Sequence, residues 1–255
     1  MVLCLKVWES RTLPGFRSME YPKISVLVPV YNEEKYIDEV IKRILAQKKN
    51  FNIELIVVDD CSKDKTKEIL KNYENFDDIK IFYKERNEGK GSAIKKAIHN
   101  STSDICIIQD ADLEYNPEDF KTLLLPFVEA NADAVYGSRF LGGGKYVRIH
   151  FFWHYLANKI LTTLSNIVTN INLTDMETGY KAFRTSKIKN LEIEEKSFGF
   201  EPEITIKLAQ KKIKFYEVAI SYNGRSYEEG KKITLKDAFK AVYCIFKYGV
   251  IMRFF

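Results

Sequence analysis

Ile105-Cys106-Ile107-Ile108-Gln109, followed directly by Asp110-Ala111-Asp112-Leu113-Glu114, is the stretch on which the fold and its chemistry turn. The apolar run, bounded by polar residues, reads as a buried strand. Alternating acids beyond it would place Asp110, Asp112 and Glu114 on one side of an extended backbone. Three carboxylates converging at a strand end repel one another unless a hard divalent cation sits between them. Mg²⁺ and Mn²⁺ favour a few carboxylates together with phosphate oxygens, so the expected metal ligands are Asp110, Asp112 and Glu114 and the expected substrate bears a diphosphate. Asp-x-Asp alone is also a common solvated turn, here leading to a helix cap at Asn116-Pro117, so the neighbouring sequence has to decide.

Outward from this stretch the chain alternates apolar runs with charged amphipathic ones. Ile24–Val30, Leu55–Asp59, Ile79–Tyr83 and Ala134–Tyr136 read as further strands, and Glu34–Lys48, Lys65–Tyr73, Ser92–His99 and Pro117–Glu129 carry helical spacing. The rhythm predicts an α/β fold, a mostly parallel Rossmann-like sheet with helices on both faces. Ligands of such sheets collect at the carboxyl ends of the strands. Those ends carry Tyr31-Asn32-Glu33, Asp59-Asp60 and Asp110-Ala111-Asp112. No Gly-x-Gly-x-x-Gly or Walker loop follows the first strand, which argues against a dinucleotide or P-loop site.

After Ser138 the rhythm changes. Gly142-Gly143-Gly144 reads as a flexible loop. From Phe151 to Ile171, Trp153, Leu156, Ile160, Leu164, Ile167 and Ile171 recur at helical spacing behind Phe151-Phe152-Trp153 and Tyr155. Either a membrane interface or a core-facing helix accounts for that pattern. A helix over Glu201–Gln210, a strand over Ile213–Ile220 and a last helix from Leu235 follow. Leu235, Phe239, Val242, Phe246 and Val250 line one side of the last helix, flanked by Lys231, Lys232, Lys236, Lys240, Lys247 and Arg253. Basic residues beside an aromatic-rich amphipathic helix suit an anionic membrane surface, and packing of a solvated basic helix on the core is the competing account.

The 255 residues suffice for one large core with an appended element. The expected division is a weakly ordered leader over 1–20, a catalytic domain over 21–230 and a basic amphipathic C-terminal helix over 231–255. Met19, just before the first clear strand, is the expected translation start. A net charge of +5 is too mild to imply nucleic acid. Four cysteines scattered without a Cys-x-x-Cys pair argue against a zinc site or a disulfide framework and fit a reducing cytosol. No stretch is long and uncharged enough to span a bilayer.

Taken together the motifs resemble inverting family 2 glycosyltransferases of the GT-A fold, in the dolichyl-phosphate mannose or glucose synthase branch, from Tyr21 to about Lys247. Val28-Pro29-Val30-Tyr31-Asn32-Glu33-Glu34 resembles the family's opening strand and nucleotide-binding turn. Val57-Val58-Asp59-Asp60-Cys61-Ser62 is similar to its second strand and base-binding acids, and Asp110-Ala111-Asp112 to its metal motif, with Glu114 where many relatives have Gln. The resemblance implies a nucleotide pocket lined by Pro29, Tyr31, Glu33, Asp59, Asp60 and Ala111. Arg86-Asn87-Glu88-Gly89-Lys90-Gly91 would be a nucleotide-side loop, its glycines letting backbone approach closely and Lys90 adding charge. Gly137-Ser138-Arg139-Phe140, Asp175–Arg184 and Arg225–Lys232 resemble the acceptor and phosphate side, with Arg139, Arg225 and Lys231 on phosphates and Arg184 either on phosphate or in a surface pair. Lys181 replaces an arginine there. Phe198-Gly199-Phe200-Glu201-Pro202-Glu203 is similar to a motif ending in a buried acid.

The implied reaction is a Mg²⁺- or Mn²⁺-dependent, single-step inverting transfer of a hexose from UDP-glucose or GDP-mannose, with Asp112 bridging the cation to the diphosphate. A polyprenyl phosphate acceptor is already anionic and needs no strong base, leaving positioning and charge neutralisation to carry the rate. The expected place is then the cytosolic face of a membrane, peripherally bound. A sugar-hydroxyl acceptor would need a carboxylate base, with Glu203 or Glu201 the candidates. A nucleotidyltransferase would also use metal and sugar phosphate, but the acidic Tyr31-Asn32-Glu33-Glu34 turn is unlike its glycine-rich basic loop. A binding module without turnover would have little reason to keep all three acids with Arg139 and Arg225.

Overall fold

A computed structural model describes residues 21–143, 146–148, 151–225 and 235–251. The leader, Gly144, the segment holding Lys231 and Lys232, and Arg253 lie outside the described residues.

Seven strands form one sheet: β1 (Ile24–Val30), β2 (Ile53–Asp59), β3 (Ile79–Tyr83), β4 (Ile105–Ile108), β5 (Ala134–Ser138), β6 (Lys181–Arg184) and β7 (Phe215–Ala219). Their order is β3-β2-β1-β4-β6-β5-β7. All neighbours run parallel except β6, which is antiparallel to both β4 and β5. The sheet is therefore mostly parallel, as the β-α rhythm predicted, with β6 reversed.

The helices are α1 (Ile37–Ala46), α2 (Thr66–Lys71), α3 (Lys90–Asn100), α4 (Phe120–Glu129), α5 (Phe152–Thr169), α6 (Thr185–Lys189), α7 (Phe200–Gln210) and α8 (Leu235–Gly249). Successive strand residues point to opposite faces, so each central strand feeds two cores. On one face Val26 and Val28 pack with Ile37, Val40 and Ile41 of α1 and Leu123 and Phe127 of α4. On the other, Leu27, Ile56 and Val58 pack with Ala93, Ile94 and Ala97 of α3, Ile204 and Leu208 of α7, and Ala241, Cys244 and Ile245 of α8. Both β1 and β2 are buried along their whole length, which is why they read as continuous apolar runs rather than alternating ones.

Two departures from expectation bear on the site. The extended backbone expected to carry all three acids stops early: β4 ends at Ile108, and Leu113 adopts a left-handed φ of 61°. Asp110, Asp112 and Glu114 therefore sit on a turn, so side-chain alternation does not align them. The first helix also begins at Ile37 instead of Glu34, because Glu33 O accepts the amides of both Tyr36 and Ile37 in a preceding turn. That turn leaves Glu33 and Glu34 at the site.

Candidate active site

The carboxyl ends of β1 and β2 are joined by a lattice of side-chain to backbone hydrogen bonds. The Asn32 amide donates to Ser62 Oγ (2.9 Å) and Lys63 N donates to Asn32 Oδ1 (2.8 Å). The Glu33 amide donates to Thr66 Oγ1 (3.0 Å), the Glu34 amide to Asp64 Oδ2 (3.1 Å), and Lys65 N to Glu34 Oε2 (2.9 Å). Short polar side chains that bond nearby backbone groups favour such turns over regular structure. They tie the turn after β1 to the turn after β2. Asp59 is buried and accepts from the Ser62 hydroxyl and amide. Burial raises its carboxyl above the usual range, with Asp60 and Asp64 adding to the rise and Ser62 opposing it.

Asp60, expected on the nucleotide, has partners within the chain. Its carboxylate takes Lys84 Nζ at 2.6 Å and the amides of Gly89 (2.6 Å) and Glu88, anchoring the loop before α3. The glycine of that loop is also explained differently. Gly89 has a φ of 100°, and a Cβ there would fall 2.4 Å from the Lys196 carbonyl. The close approach it permits is by the 196–197 backbone. Lys90 likewise turns inward, with Nζ 2.8 Å from Asp110 Oδ1 and 3.5 Å from Glu201 Oε1. Burial alone would lower its ammonium, but Asp110 and Glu201 hold it above its ordinary value.

Asp112 lies at the centre of the acidic turn. Arg225 binds it through Nη2 at 2.7 Å, while the same guanidinium reaches Glu114 and Glu33 at 3.4 Å each. The Arg225 amide donates to Glu114 Oε1 (2.9 Å), whose other oxygen takes the Tyr222 hydroxyl (2.8 Å). Burial, then the charges of Glu114 and Asp110, push the Asp112 carboxyl far above its ordinary range, and Arg225 pulls it back only in part. A guanidinium thus stands where the carboxylates require a cation. Among the described residues no three acidic, histidine or cysteine side chains form a metal cage. Each of the three expected ligands has a partner within the chain: Asp112 and Glu114 meet Arg225, Glu114 also takes the Tyr222 hydroxyl, and Asp110 meets Lys90. What fits a hard divalent ion is the oxygen donor set of Asp112, with Asp110 beside it, completed by substrate oxygens in the manner Mg²⁺ prefers.

Arg139, expected on a phosphate, instead grips Asp175 through Nε (2.6 Å) and Nη2 (2.7 Å), and its amide donates to the same carboxylate. Asp175 is fully buried. Burial would raise its carboxyl, and Arg139 holds it below the ordinary range. The pair braces the segment leading to β6. Glu203, a candidate base, is fully buried, takes the amides of Glu194 and Glu195 at 2.8 Å and Lys207 Nζ at 2.7 Å, and so holds a loop to α7. Glu201 faces Lys90, and Arg184 makes the surface pairing, binding the Ala132 carbonyl and the Asn131 side chain.

Sequence reasoning passed over Tyr222 and Tyr115. Tyr115 stacks on Tyr180 with centroids 5.0 Å apart and meets Tyr222 at 5.2 Å, and Arg139 lies over the Tyr222 ring. Tyr222 just follows a predicted strand and precedes Asn223-Gly224-Arg225, which was the available signal.

Outside the site, α5 and α8 each present two apolar faces. Leu161 of α5 and Ala241, Cys244, Ile245 and Tyr248 of α8 are buried, while Trp153 and Ile167 are 73% and 71% exposed and Phe239 is 75% exposed, with Ile160, Tyr243 and Phe246 also outward. The stripes read from the sequence divide between the two: Trp153, Ile160, Ile167, Phe239, Phe246 and Val250 face outward, while Leu164, Ile171 and Val242 pack against the core. Lys240 and Lys247 pair with Glu195 and Glu194, so this part of the basic flank is partly neutralised. No described helix is long and apolar enough to cross a membrane.

The family model described as Glycosyl transferase family 2 matches residues 25–192. Dolichol-phosphate mannosyltransferase of Pyrococcus furiosus is 25% identical over 89% of this chain and 64% of its own length. Dolichyl-phosphate beta-glucosyltransferase of Trichomonas vaginalis is 27% identical over 90% of this chain and 74% of its own. Undecaprenyl-phosphate 4-deoxy-4-formamido-L-arabinose transferase of Proteus mirabilis is 28% identical over 84% of this chain and 64% of its own. The chain thus spans slightly less than two thirds of the Pyrococcus and Proteus relatives. Among solved structures, glucosyl-3-phosphoglycerate synthase of Mycobacterium tuberculosis, in complex with Mn²⁺, UDP and phosphoglyceric acid, superposes with a TM-score of 0.66 at 18% identity, over 90% of this chain and 79% of that one. Mannosyl-3-phosphoglycerate synthase of Rubrobacter xylanophilus gives 0.68 at 17% identity, over 91% and 74%. The shared architecture is the GT-A fold.

Proposed function

The chain belongs to glycosyltransferase family 2, and from that premise we propose that it transfers a hexose from UDP-glucose or GDP-mannose to a polyprenyl phosphate, inverting the anomeric carbon. The observation that carries this reading is the Arg225 guanidinium set among Glu33, Asp112 and Glu114 at the carboxyl ends of β1 and β4. Carboxylates so placed call for positive charge, and a diphosphate arriving with its counter-ion supplies it while freeing Arg225 to hold a phosphate. When bound, a divalent ion neutralises charge that builds on the leaving diphosphate. Asp112 and Asp110 would hold that ion, and Asp59 and Glu33 would accept hydrogen bonds from the nucleoside.

A phosphate acceptor is supported on two sides. Three relatives are named for transfer to dolichol, dolichyl or undecaprenyl phosphate. Glu203 and Glu201, the carboxylates considered as bases for a hydroxyl acceptor, are both engaged with lysines, and an anionic acceptor requires no base. The outward apolar faces of α5 and α8 suit a chain lying on the cytosolic face of the membrane that carries the lipid.

The test is a panel of sugar nucleotides with Mg²⁺ or Mn²⁺ and a polyprenyl phosphate, following nucleotide release and glycolipid formation. Transfer to lipid phosphate, abolished by chelator, is expected. Transfer only to hydroxyl acceptors, or full rates in excess chelator, would overturn it.

A further inference from the structure

Glu177 lies in the segment that connects α5 to β6, and every neighbour of it is anchored. Asp175 is clamped by Arg139. The Met176 amide donates to Thr162 Oγ1 (3.1 Å), and Lys181 Nζ donates to the carbonyls of Met176 and Thr178. The Gly179 amide donates to the Tyr115 hydroxyl (2.9 Å). The segment also runs directly against the acidic turn, since a Cβ on Gly179 would fall 2.4 Å from Asp110 Oδ2. Within this fixed frame the Glu177 carboxyl is the exception: Oε1 is covered, yet has no hydrogen-bond partner among the described residues. A covered acceptor without a donor is a cost that a fold retains where a missing ligand group offsets it.

The chemistry of that ligand group follows from the surroundings. Burial and the neighbouring Glu201 raise the Glu177 carboxyl well above its ordinary range, with Lys181 and Arg139 opposing. A second phosphate is a poor partner for a carboxyl already crowded by negative charge. A hydroxyl, which both donates and accepts, suits either protonation state. The group that lies next to a diphosphate held at Asp110 and Asp112 is the sugar it carries.

Resting on the reading of this chain as a hexosyltransferase, we propose that Glu177 is a specificity-determining residue whose carboxyl hydrogen-bonds one hydroxyl of the transferred hexose. The anchors on Asp175, Met176, Thr178 and Gly179 hold it rigidly, so a sugar lacking that hydroxyl, or presenting it on the other ring face, leaves the covered Oε1 unsatisfied and is rejected.

The experiment measures kcat/KM for the full-length wild type, Glu177→Ala and Glu177→Gln against nucleotide hexoses deoxygenated singly at each ring position, with nucleoside diphosphate affinity measured alongside. At one position, loss of the hydroxyl should cost the wild type roughly 10- to 100-fold and the alanine variant less than about twofold, with diphosphate affinity unchanged. The isosteric glutamine variant should keep the wild-type melting temperature and still blunt that preference. It carries the test should the alanine variant melt early. An equal loss on every sugar, deoxy forms included, or an unaltered preference in both variants overturns the assignment of Glu177 alone. A wild type that transfers no hexose from any sugar nucleotide overturns the hexosyltransferase reading, and the assignment with it.

Discussion

The two halves of the sheet hold their loops by different means. Around β1 and β2, backbone amides meet short neutral or acidic side chains, with one buried ion pair, Lys84 on Asp60, added before α3, and only Phe76 and Val128 among the described large apolar residues before β5 stand exposed. From β5 onward the loops are held by buried charge: Arg139 on Asp175, Lys181 on two carbonyls, Glu203 with Lys207. The outer helices there leave Trp153, Ile167, Phe239 and Phe246 in the open. A nucleoside pocket can be walled by local hydrogen bonds because its loops are short and follow strand ends. The second half is assembled from segments distant in sequence, and few local turns can do that. Ion pairs supply the fixing there.

Asp112 joins the two halves through Arg225, so its replacement is the most damaging test. Asp112→Asn should lower turnover at least a thousandfold, about 4 kcal/mol of transition-state stabilisation, while the melting temperature holds or rises because a repelled carboxylate has gone. Turnover within tenfold of wild type would mean the acidic turn is scaffold alone.

The contrast predicts that breaking charge in the second half costs more than breaking hydrogen bonds in the first. Arg139→Ala leaves Asp175 buried and unpaired, and should destabilise by roughly 3–5 kcal/mol, a fall in melting temperature of about 10 °C. Arg139→Met with Asp175→Leu should recover much of it, since apolar partners of similar volume replace buried pairs at little cost. A single variant that melts like the wild type would show the ion pair to be dispensable and dissolve the contrast.

These residues also mark where sequence was informative. The parallel strands of the first half were legible because a strand buried on both faces is written as an unbroken apolar run. The acids at their ends were legible as well, though not their geometry. Leu113 in a left-handed conformation carries no sequence signature, so the aligned triad expected from alternation became a turn centred on Arg225. Arg139 was expected on phosphate because its partner lies 36 residues on, and pairings across such a separation are not written locally. Glu203 and Asp60 illustrate the same gap: a carboxylate that binds backbone amides and one that binds substrate look identical in sequence. The helix stripes of α5 and α8 were read correctly as apolar, but a helix with two apolar faces does not declare which of them is covered.

Glu54 gives a pH test in the first half. Burial would raise its carboxyl, but Lys80, Ser25 and Thr102 donate to it and hold it at about 2, below its ordinary 4.5. Because the folded value is depressed, the stabilisation is complete above about pH 4.5 and is lost as pH falls towards 2. The shift corresponds to about 3 kcal/mol. Glu54→Gln should flatten that acid limb of the stability curve. A wild-type curve already flat between pH 5 and 2, or an unchanged one in the variant, would remove Glu54 as its cause.

The smallest effect belongs to the outward face of α8. Phe239 and Phe246 are 75% and 50% exposed, so replacing both by serine removes no core contact and should change folding stability by less than about 0.5 kcal/mol. If that face enters a lipid surface, each replacement forfeits part of a buried phenyl ring, and binding to vesicles containing anionic lipid should weaken about tenfold per residue. Rates with a short-chain, water-soluble polyprenyl phosphate should stay as they were, because neither residue belongs to the site. Salt separates this from electrostatic adsorption: with Lys240 and Lys247 already paired to Glu195 and Glu194, apolar insertion predicts that raising salt weakens vesicle binding less than the double replacement does. Vesicle binding that survives the double replacement but disappears at high salt would place the membrane contact on charged residues and leave the outward stripe of α8 without a lipid role.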